Sequence, residues 1–244
     1  MVDHLFADAG LAALYDTLCE GRRDFGFYLP LVMSARAVLD VGCGTGALLH
    51  LARGAGHTGR LCGLDPARGM LAQARKRTDV EWVHGDLGSV GWEREFDLVV
   101  MTGHAFQVLV TDEELRTALA AIRSALTADG RFGFETRNPA ARAWERWTPD
   151  QADEVTDATG AAVRHWHEVQ GPVTGDLVRF TTTFTSPGWK RPEVSHSTLR
   201  FLDADRLTSF LAGAGLAVEE RYGDWDRQPP TGTSPEIITL ARRA

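Results

Sequence analysis

Short apolar runs alternate with helix-period segments over the first 137 residues. The runs cover residues 38–41, 60–65, 80–83, 96–101 and 131–135, and a turn or a helical segment follows each of them. Strands that alternate with helices are typical of a parallel sheet with helices on both faces. We therefore predict an α/β fold in which ligands bind at the edge where the strands end. A helix is predicted from 112 to 128, ending at Asp129-Gly130.

The pattern changes after Asn138-Pro139. Residues 151–160 are polar and acidic, whereas 162–169, 177–185 and 196–202 alternate polar with apolar positions and predict antiparallel strands. A helix over 203–214 and strands over 216–222 and 237–240 complete the chain. The second half therefore adds an antiparallel β insert after strand five.

Residues 38–46 carry the strongest chemical signal. Val38 to Val41 predict a buried strand, and Gly42, Gly44 and Gly46 predict a tight turn before a helix over 47–53. Glycine suits positions where the backbone takes a positive φ or approaches a ligand closely. Amides at a helix start favour an anionic or strongly polar group. The segment predicts a nucleotide-like cofactor at the end of this strand.

Two cofactor classes fit the glycines. Gly42, Gly44 and Ala47 satisfy the dinucleotide fingerprint, so an NAD(P)-dependent oxidoreductase is one alternative. Against it, the third glycine comes early at Gly46, and Asp40 places a carboxylate that would repel a pyrophosphate but attract an amino group. The Tyr-x-x-x-Lys pair that an oxidoreductase would need is also missing after the fourth strand.

The motif Asp40-x-Gly42-x-Gly44-x-Gly46 closely resembles motif I of the class I S-adenosylmethionine-dependent methyltransferases. The resemblance covers residues 37–137, with further motifs after successive strands. It implies a Rossmann-like, seven-stranded, mostly parallel sheet with an antiparallel last strand. It also implies S-adenosyl-L-methionine as the cofactor and methyl transfer to a nucleophilic atom of a small molecule. A non-catalytic cofactor-binding module on the same fold is the second alternative.

The resemblance implies cofactor-binding roles along the strand ends. Asp65, nineteen residues after Gly46, would accept from ribose hydroxyls, Met70 would pack on the adenine, and Asp86 would accept from the adenine amino group. The predicted cofactor-binding residues are Asp40, Gly42, Gly44, Gly46, Asp65, Met70, Asp86, Leu87 and Thr102. Helix capping or a turn is the alternative role of any single acid.

His104 is the leading candidate for a catalytic base because it follows strand four, where the substrate face of the resembled family begins. A base helps only if the nucleophile must first lose a proton, and a histidine bonded to neighbouring backbone is an equal alternative. The weaker candidates are Gln107, Glu135, His165 and His167. His165-x-His167 has no nearby acid or cysteine to complete a metal site, so we predict no metal and treat the pair as alternating exposed residues.

We divide the chain into an N-terminal helical cap over 1–36, a Rossmann-like domain over 37–137 and 198–244, and a β-rich insert over 138–197. A looser similarity to sugar N,N-dimethyltransferases implies that the insert covers the active site as a substrate lid. The aromatic side chains predicted to line its pocket are Trp166, Phe180, Phe184 and Trp189. Residues of the N-terminal segment, among them Tyr15 and Tyr28, would close the opposite side, with core packing as the alternative.

Composition and charge limit the classes of binding partner that we expect. A net charge of −7 argues against a nucleic-acid partner, and the sequence has no apolar stretch long enough to span a bilayer. Cys19, Cys43 and Cys62 are odd in number and scattered, which favours a reduced, cytoplasmic setting. We expect a cytoplasmic enzyme with a small-molecule substrate, no nucleic-acid or membrane partner, and a monomeric or homodimeric state.

Overall fold

The computed structural model describes residues 2–244, which form seven α-helices and eleven strands. The helices are α1 (His4–Ala7), α2 (Ala9–Leu18), α3 (Asp24–Ser34), α4 (Ala47–Gly54), α5 (Arg68–Ala74), α6 (Asp112–Ala125) and α7 (Ala204–Gly213). The strands are β1 (Ala37–Val41), β2 (Arg60–Asp65), β3 (Glu81–His84), β4 (Phe96–Met101), β5 (Leu126–Arg137), β6 (Asp153–Thr156), β7 (Ala162–Val169), β8 (Leu177–Thr185), β9 (Glu193–Arg200), β10 (Leu216–Tyr222) and β11 (Glu236–Arg243).

Seven strands form the main sheet, in the order β10-β11-β5-β4-β1-β2-β3. The strands β1 to β5 pair in parallel, and β11 runs antiparallel to both of its neighbours. The predicted fold class is confirmed. The strand order reverses between β1 and β4, and open α/β sheets hold their ligands at such a reversal, beside the carboxyl ends of the strands.

Helices bury both faces of the main sheet. Leu119 of α6 and Leu211 of α7 belong to the apolar core on one face. Tyr28 of α3 and Leu49 of α4 belong to the core on the other face. Because the central strands have apolar neighbours on both sides, they read in the sequence as continuous apolar runs, which explains why their positions were predicted correctly.

The second sheet is antiparallel, in the order β6-β7-β8-β9. Val163 and Phe184 on one face of it pack on Leu11 and Leu14 of α2. The sequence did not predict β6, since Val155 is its one apolar residue and the strand has only four residues. The third strand begins at Glu193, earlier than the predicted residue 196.

Two further predictions are corrected. Helix α6 ends at Ala125, and Asp129-Gly130 lie within β5, where a register shift against β4 accommodates the additional residues as a bulge. Trp166 alternates with His165 and His167 along β7 and pairs with Thr183. It therefore lies on the opposite face from Phe184 and does not line the same surface.

In the glycine turn after β1, Gly46 is packed against a side chain, whereas Gly44 is not. Gly42, Gly44 and Gly46 all adopt positive φ, at 70°, 55° and 76°. A Cβ on Gly46 would lie 2.3 Å from the Trp82 ring, whereas a Cβ on Gly44 would meet no atom within 4 Å. Packing therefore requires glycine at 46, and the backbone at Gly44 is open to a ligand.

We expect Gly46→Ala to lower the free energy of unfolding more than Gly44→Ala, as measured by urea titration. Each alanine costs about 1–2 kcal/mol for the left-handed conformation, and alanine at 46 adds roughly 1–3 kcal/mol of overpacking against Trp82. The difference should shrink in a Trp82→Leu background. Equal losses for the two single variants would contradict the role of the Trp82 contact.

Candidate functional site

The carboxyl ends of β1 and β2 bring the glycine turn and Asp65 together. The amides of Gly42 and Cys43 both donate to the carbonyl of Leu64, at 2.8 and 3.2 Å. The Asp65 carboxylate accepts from the amides of Gly44 at 2.8 Å and Ala67 at 2.7 Å. It therefore fixes the glycine turn and the start of α5 at once. Its predicted ribose contact stays a prediction.

Asp40 lies beneath this turn with 1% of its surface exposed. Among the acidic side chains of residues 2–244, it alone has a buried oxygen, Oδ1, without a hydrogen-bond partner. Burial raises the pKa of Asp40 to about 8, against the opposing charge of Arg22. A buried carboxylate without a donor is unfavourable, so Asp40 is suited to a ligand that carries an N–H donor or a positive charge.

The other predicted cofactor residues lie on α5, after β3 and after β4. Met70 is buried against Ala12, and Phe6 and Tyr15 of the N-terminal segment pack on the same cluster. Asp86 is exposed and accepts from the amide of Gly88 at 3.0 Å, as in a turn. Leu87 is buried in the core that also contains Leu119 of α6 and Leu211 of α7. The Thr102 hydroxyl lies 3.4 Å from an Arg22 nitrogen. Their cofactor roles stay predictions.

The N-terminal helices close over the glycine turn. Asp16 of α2 accepts a hydrogen bond from the Thr45 hydroxyl at 2.5 Å. The Arg22 guanidinium binds Asp24 and lies 4.3 Å from the centre of the Phe25 ring. Tyr28 is fully buried in the core between α3, α4 and the main sheet, so the core alternative holds for it.

Beyond β4, a buried carboxylate organises the loop that carries His104. Glu135 of β5 accepts from the Tyr28 hydroxyl at 2.6 Å and from the backbone amide of His104 at 2.8 Å. This second bond holds His104 at φ 63°, a left-handed conformation that is uncommon for residues other than glycine. The His104 Nε2 atom lies 3.0 Å from the carboxylate of Glu236. His104 thus bonds an acid rather than neighbouring backbone.

The His104–Glu236 pair shares one proton near neutral pH. Burial lowers the pKa of His104 to about 3, and the charge of Arg137 adds to this effect. Burial also raises the pKa of Glu236 to about 8. The pair is therefore uncharged overall below about pH 8 and becomes a proton acceptor above it.

Glu236 was not identified from the sequence. Because β11 runs antiparallel, its first residue lies at the same edge as the last residues of β4 and β5. An acid at the start of the last strand was the available signal, and it has meaning only once the strand order is known.

At the end of β5, Arg137 lies between the two sheets. Its backbone amide and its Nη1 atom donate to Gln107 Oε1 at 3.3 and 3.0 Å, and Gln107 Nε2 donates to the Arg200 carbonyl at 3.0 Å. The Arg137 guanidinium lies 5.5 Å from the centre of the Trp147 ring. Gln107 is thus a support for Arg137.

His165 and His167 share the face of β7 that packs toward α2. Their rings are 6.4 Å apart, and His165 lies 5.9 Å from the ring of Phe184. His167 Nδ1 lies 2.9 Å from the Thr182 hydroxyl. Burial lowers the pKa of His167 to about 4, with contributions from His165 and Arg137. In the part of the chain that the structure describes, no cluster of three or more His, Cys, Asp or Glu could hold a metal ion.

Three comparisons relate the chain to known methyltransferases. Residues 38–130 match the family model described as a methyltransferase domain. The chain is 26% identical over 220 residues to a cypemycin N-terminal methyltransferase of a Streptomyces species, covering 86% of this chain and 84% of that protein.

Two solved structures share the fold. One is the CcbJ methyltransferase from Streptomyces caelestis, with a TM-score of 0.75 and 19% identity, covering 97% of this chain and 99% of that one. The other is CalS10 from Micromonospora echinaspora, an amino pentose methyltransferase solved with S-adenosylmethionine bound, with a TM-score of 0.71 and 23% identity, covering 95% of both chains. None of the helices over residues 2–244 combines the length and apolar character that crossing a bilayer requires.

The raised pKa of Asp40 predicts a pH-dependent stability. A group with a raised folded-state pKa stabilises the fold fully below its unfolded pKa, and loses that contribution as pH rises to the folded one. The window therefore runs from about 3.8 to about 8. The slope for one such group is at most about 1.4 kcal/mol per pH unit.

We expect Asp40→Asn, which stays neutral, to become more stable relative to the parent as pH rises through this window, as measured by urea titration of the ligand-free protein. Asp86→Asn is the matched control, because Asp86 is exposed. Parallel curves for the parent and Asp40→Asn would contradict the buried, unpaired state of Asp40.

Proposed function

Since the chain is a class I S-adenosylmethionine-dependent methyltransferase, we propose that it transfers the methyl group to an amine nitrogen of a small molecule. The observation that carries the amine is the pair of buried acids beside His104. Glu135 and Glu236 are carboxyl groups beside His104, and Glu236 can accept a proton once it ionises at about pH 8, which suits an acceptor that arrives as an ammonium ion. The names of two similar proteins refer to an N-terminus and to an amino pentose.

The glycine turn and the acids around it fit the cofactor. When bound, S-adenosyl-L-methionine supplies an electrophilic methyl group on a positively charged sulfonium. The unpartnered oxygen of Asp40 would accept from the amino group of the cofactor, and the open backbone of Gly44 leaves room for its close approach. Asp65 would accept a hydrogen bond from a ribose hydroxyl in place of one of the hydrogen bonds that it now accepts from the backbone amides of Gly44 and Ala67. Met70, Asp86, Leu87 and Thr102 are proposed to line the remainder of the site.

His104 and Glu236 are proposed to accept the proton that the acceptor amine must lose. An ammonium ion has no lone pair, so the acceptor must lose a proton before it attacks the methyl group. His104 is held neutral by burial and lies 3.0 Å from Glu236, which can take up the proton. Glu135 fixes the backbone of His104 and hence the position of its ring. Alignment and exclusion of water supply the rest of the rate enhancement.

The insert over 138–197 is proposed to act as the lid. Support comes from the face of its sheet that packs on α2, and from Trp147, whose ring lies 4.6 Å from that of Phe180. A cytoplasmic location is supported by Cys19, Cys43 and Cys62, which form no disulfide in the described residues. The absence of a nucleic-acid partner and a monomeric or homodimeric state stay predictions.

Binding and turnover assays test the function. We expect S-adenosylmethionine and S-adenosylhomocysteine, but not NAD, to raise the melting temperature, because ligand at one hundred times its Kd stabilises by about 2.7 kcal/mol. We expect methyl transfer to a panel of small primary amines and none to the matching alcohols. Methylation of alcohols alone would refute the amine proposal, and a shift with NAD alone would refute the cofactor.

The His104–Glu236 pair predicts the pH profile. We expect kcat at saturating amine to rise with pH through about 8, since the pair accepts a proton only after Glu236 ionises. Glu236→Gln should remove this inflection and lower kcat by about 10²-fold or more. Glu219→Gln, at an exposed position of β10, is the matched control. A profile that Glu236→Gln leaves unchanged would exclude the pair from proton transfer.

A further inference from the structure

Arg137 carries a positive charge without an acidic partner. Within residues 2–244, no carboxylate oxygen lies within 4.0 Å of its guanidinium, and the side chain that binds it is the neutral Gln107. Burial lowers the pKa of Arg137. A partly buried guanidinium is normally compensated by an anion, so the absence of a contacting acid calls for an explanation.

The acids closest to Arg137 are already engaged. Glu236 binds His104, and Glu135 accepts from the Tyr28 hydroxyl and the His104 amide. Both carboxylates influence the pKa of Arg137 through space, but neither contacts it. Their bonds to His104 and Tyr28 hold them in place, which leaves the guanidinium without a contacting counter-ion.

The position of Arg137 connects the proton-transfer pair with the second sheet. Its charge lowers the pKa of His104 on the main sheet and that of His167 on β7. The Trp147 ring lies against the guanidinium, and Gln107 fixes both its Nη1 atom and the backbone of the same residue. The guanidinium is therefore held in place before any ligand binds, which lowers the entropic cost of binding.

We propose that Arg137 binds an oxyanion, a carboxylate or a phosphate, carried by the methyl acceptor itself. The planar fork of arginine matches both groups through paired hydrogen bonds. The inference rests on the proposed function, because it specifies the substrate class of the same site: an amine that also bears an anionic group. Such an acceptor would satisfy Arg137 with its anion and the His104–Glu236 pair with its amine.

Anion binding tests the proposal independently of turnover. We would titrate inorganic phosphate and acetate into the protein saturated with S-adenosylhomocysteine, at constant ionic strength in chloride, and measure Kd by calorimetry. We expect at least one anion to bind, with its Kd at least tenfold higher in Arg137→Gln. Arg179→Gln, on the exposed face of β8, is the matched control and should bind as the parent does.

Arg137→Lys keeps the charge but loses the fork, and should weaken the anion several-fold. It carries the test if Arg137→Gln fails to retain S-adenosylhomocysteine binding. The preferred anion identifies the source: tighter binding of acetate indicates a carboxylate, and tighter binding of phosphate indicates a phosphate ester. No binding of either anion, or equal binding in the Arg137 variants, would overturn the proposal.

Matched amines separate this inference from the proposed function. Propylamine is compared with β-alanine, and ethanolamine with O-phosphoethanolamine, as methyl acceptors and as competitors of the anions. We expect the parent to favour an anionic member at least tenfold, and Arg137→Gln to lose that preference. Anion binding that needs Arg137 without methylation of any amine would refute only the amine function. Methylation of amines without any preference for the anionic member would refute only the anion site.

Discussion

The stability and the proposed ligand preference of the site depend on one buried carboxyl group, that of Asp40. Asp40 is placed by the central strand β1, with apolar strands on either side and helices above and below, so water cannot reach it. A carboxylate in that position is costly unless a ligand supplies the missing donor. The glycine turn above it leaves the backbone of Gly44 open, and the N-terminal helices close the opening through Asp16 and Thr45. The stability of the ligand-free fold therefore depends on the protonation of Asp40, and the proposed affinity for a cationic cofactor rests on the same group.

The sequence predicts what is local and misses what topology brings together. Asp40 and the glycines form one continuous motif, and Asp65 follows an apolar run, so their shared edge follows from strand alternation alone. Glu236 is 132 residues from its partner His104, and nothing near either residue indicates the pair. Trp166 was predicted to line one pocket with Phe184 because only the aromatic content of the strands was considered, and the pairing of Trp166 with Thr183 places the two side chains on opposite faces. The strand β6 was not predicted because it has only four residues, of which Val155 alone is apolar.

The second sheet is joined to the N-terminal segment by hydrogen bonds and apolar contacts. The amide of Leu5 donates to the Ser195 hydroxyl at 2.9 Å, and the Ser197 hydroxyl donates to Asp3 at 2.6 Å. Together with the apolar cluster around Phe184, these bonds join an element from the start of the chain to the insert. Because α2 also contacts the glycine turn through Asp16 and Thr45, a movement of the second sheet would be transmitted to that turn.

The charged side chains of the site fall into three groups, which lie beside β1 and β2, near the end of β4 and at the boundary with the second sheet. On the side of β1 and β2, the acids Asp40 and Asp65 are the groups that we propose bind the cationic cofactor. Near the end of β4, the His104–Glu236 pair is uncharged below about pH 8 and can accept one proton above it, once Glu236 has ionised, which suits an amine that must be deprotonated once. Arg137 breaks this acidic pattern at the boundary with the second sheet. The Arg137 guanidinium contacts the Trp147 ring and the neutral Gln107, and it interacts with Glu135 and Glu236 only through space. An acceptor that brings its own negative charge would supply the contacting counter-ion that the ligand-free protein lacks.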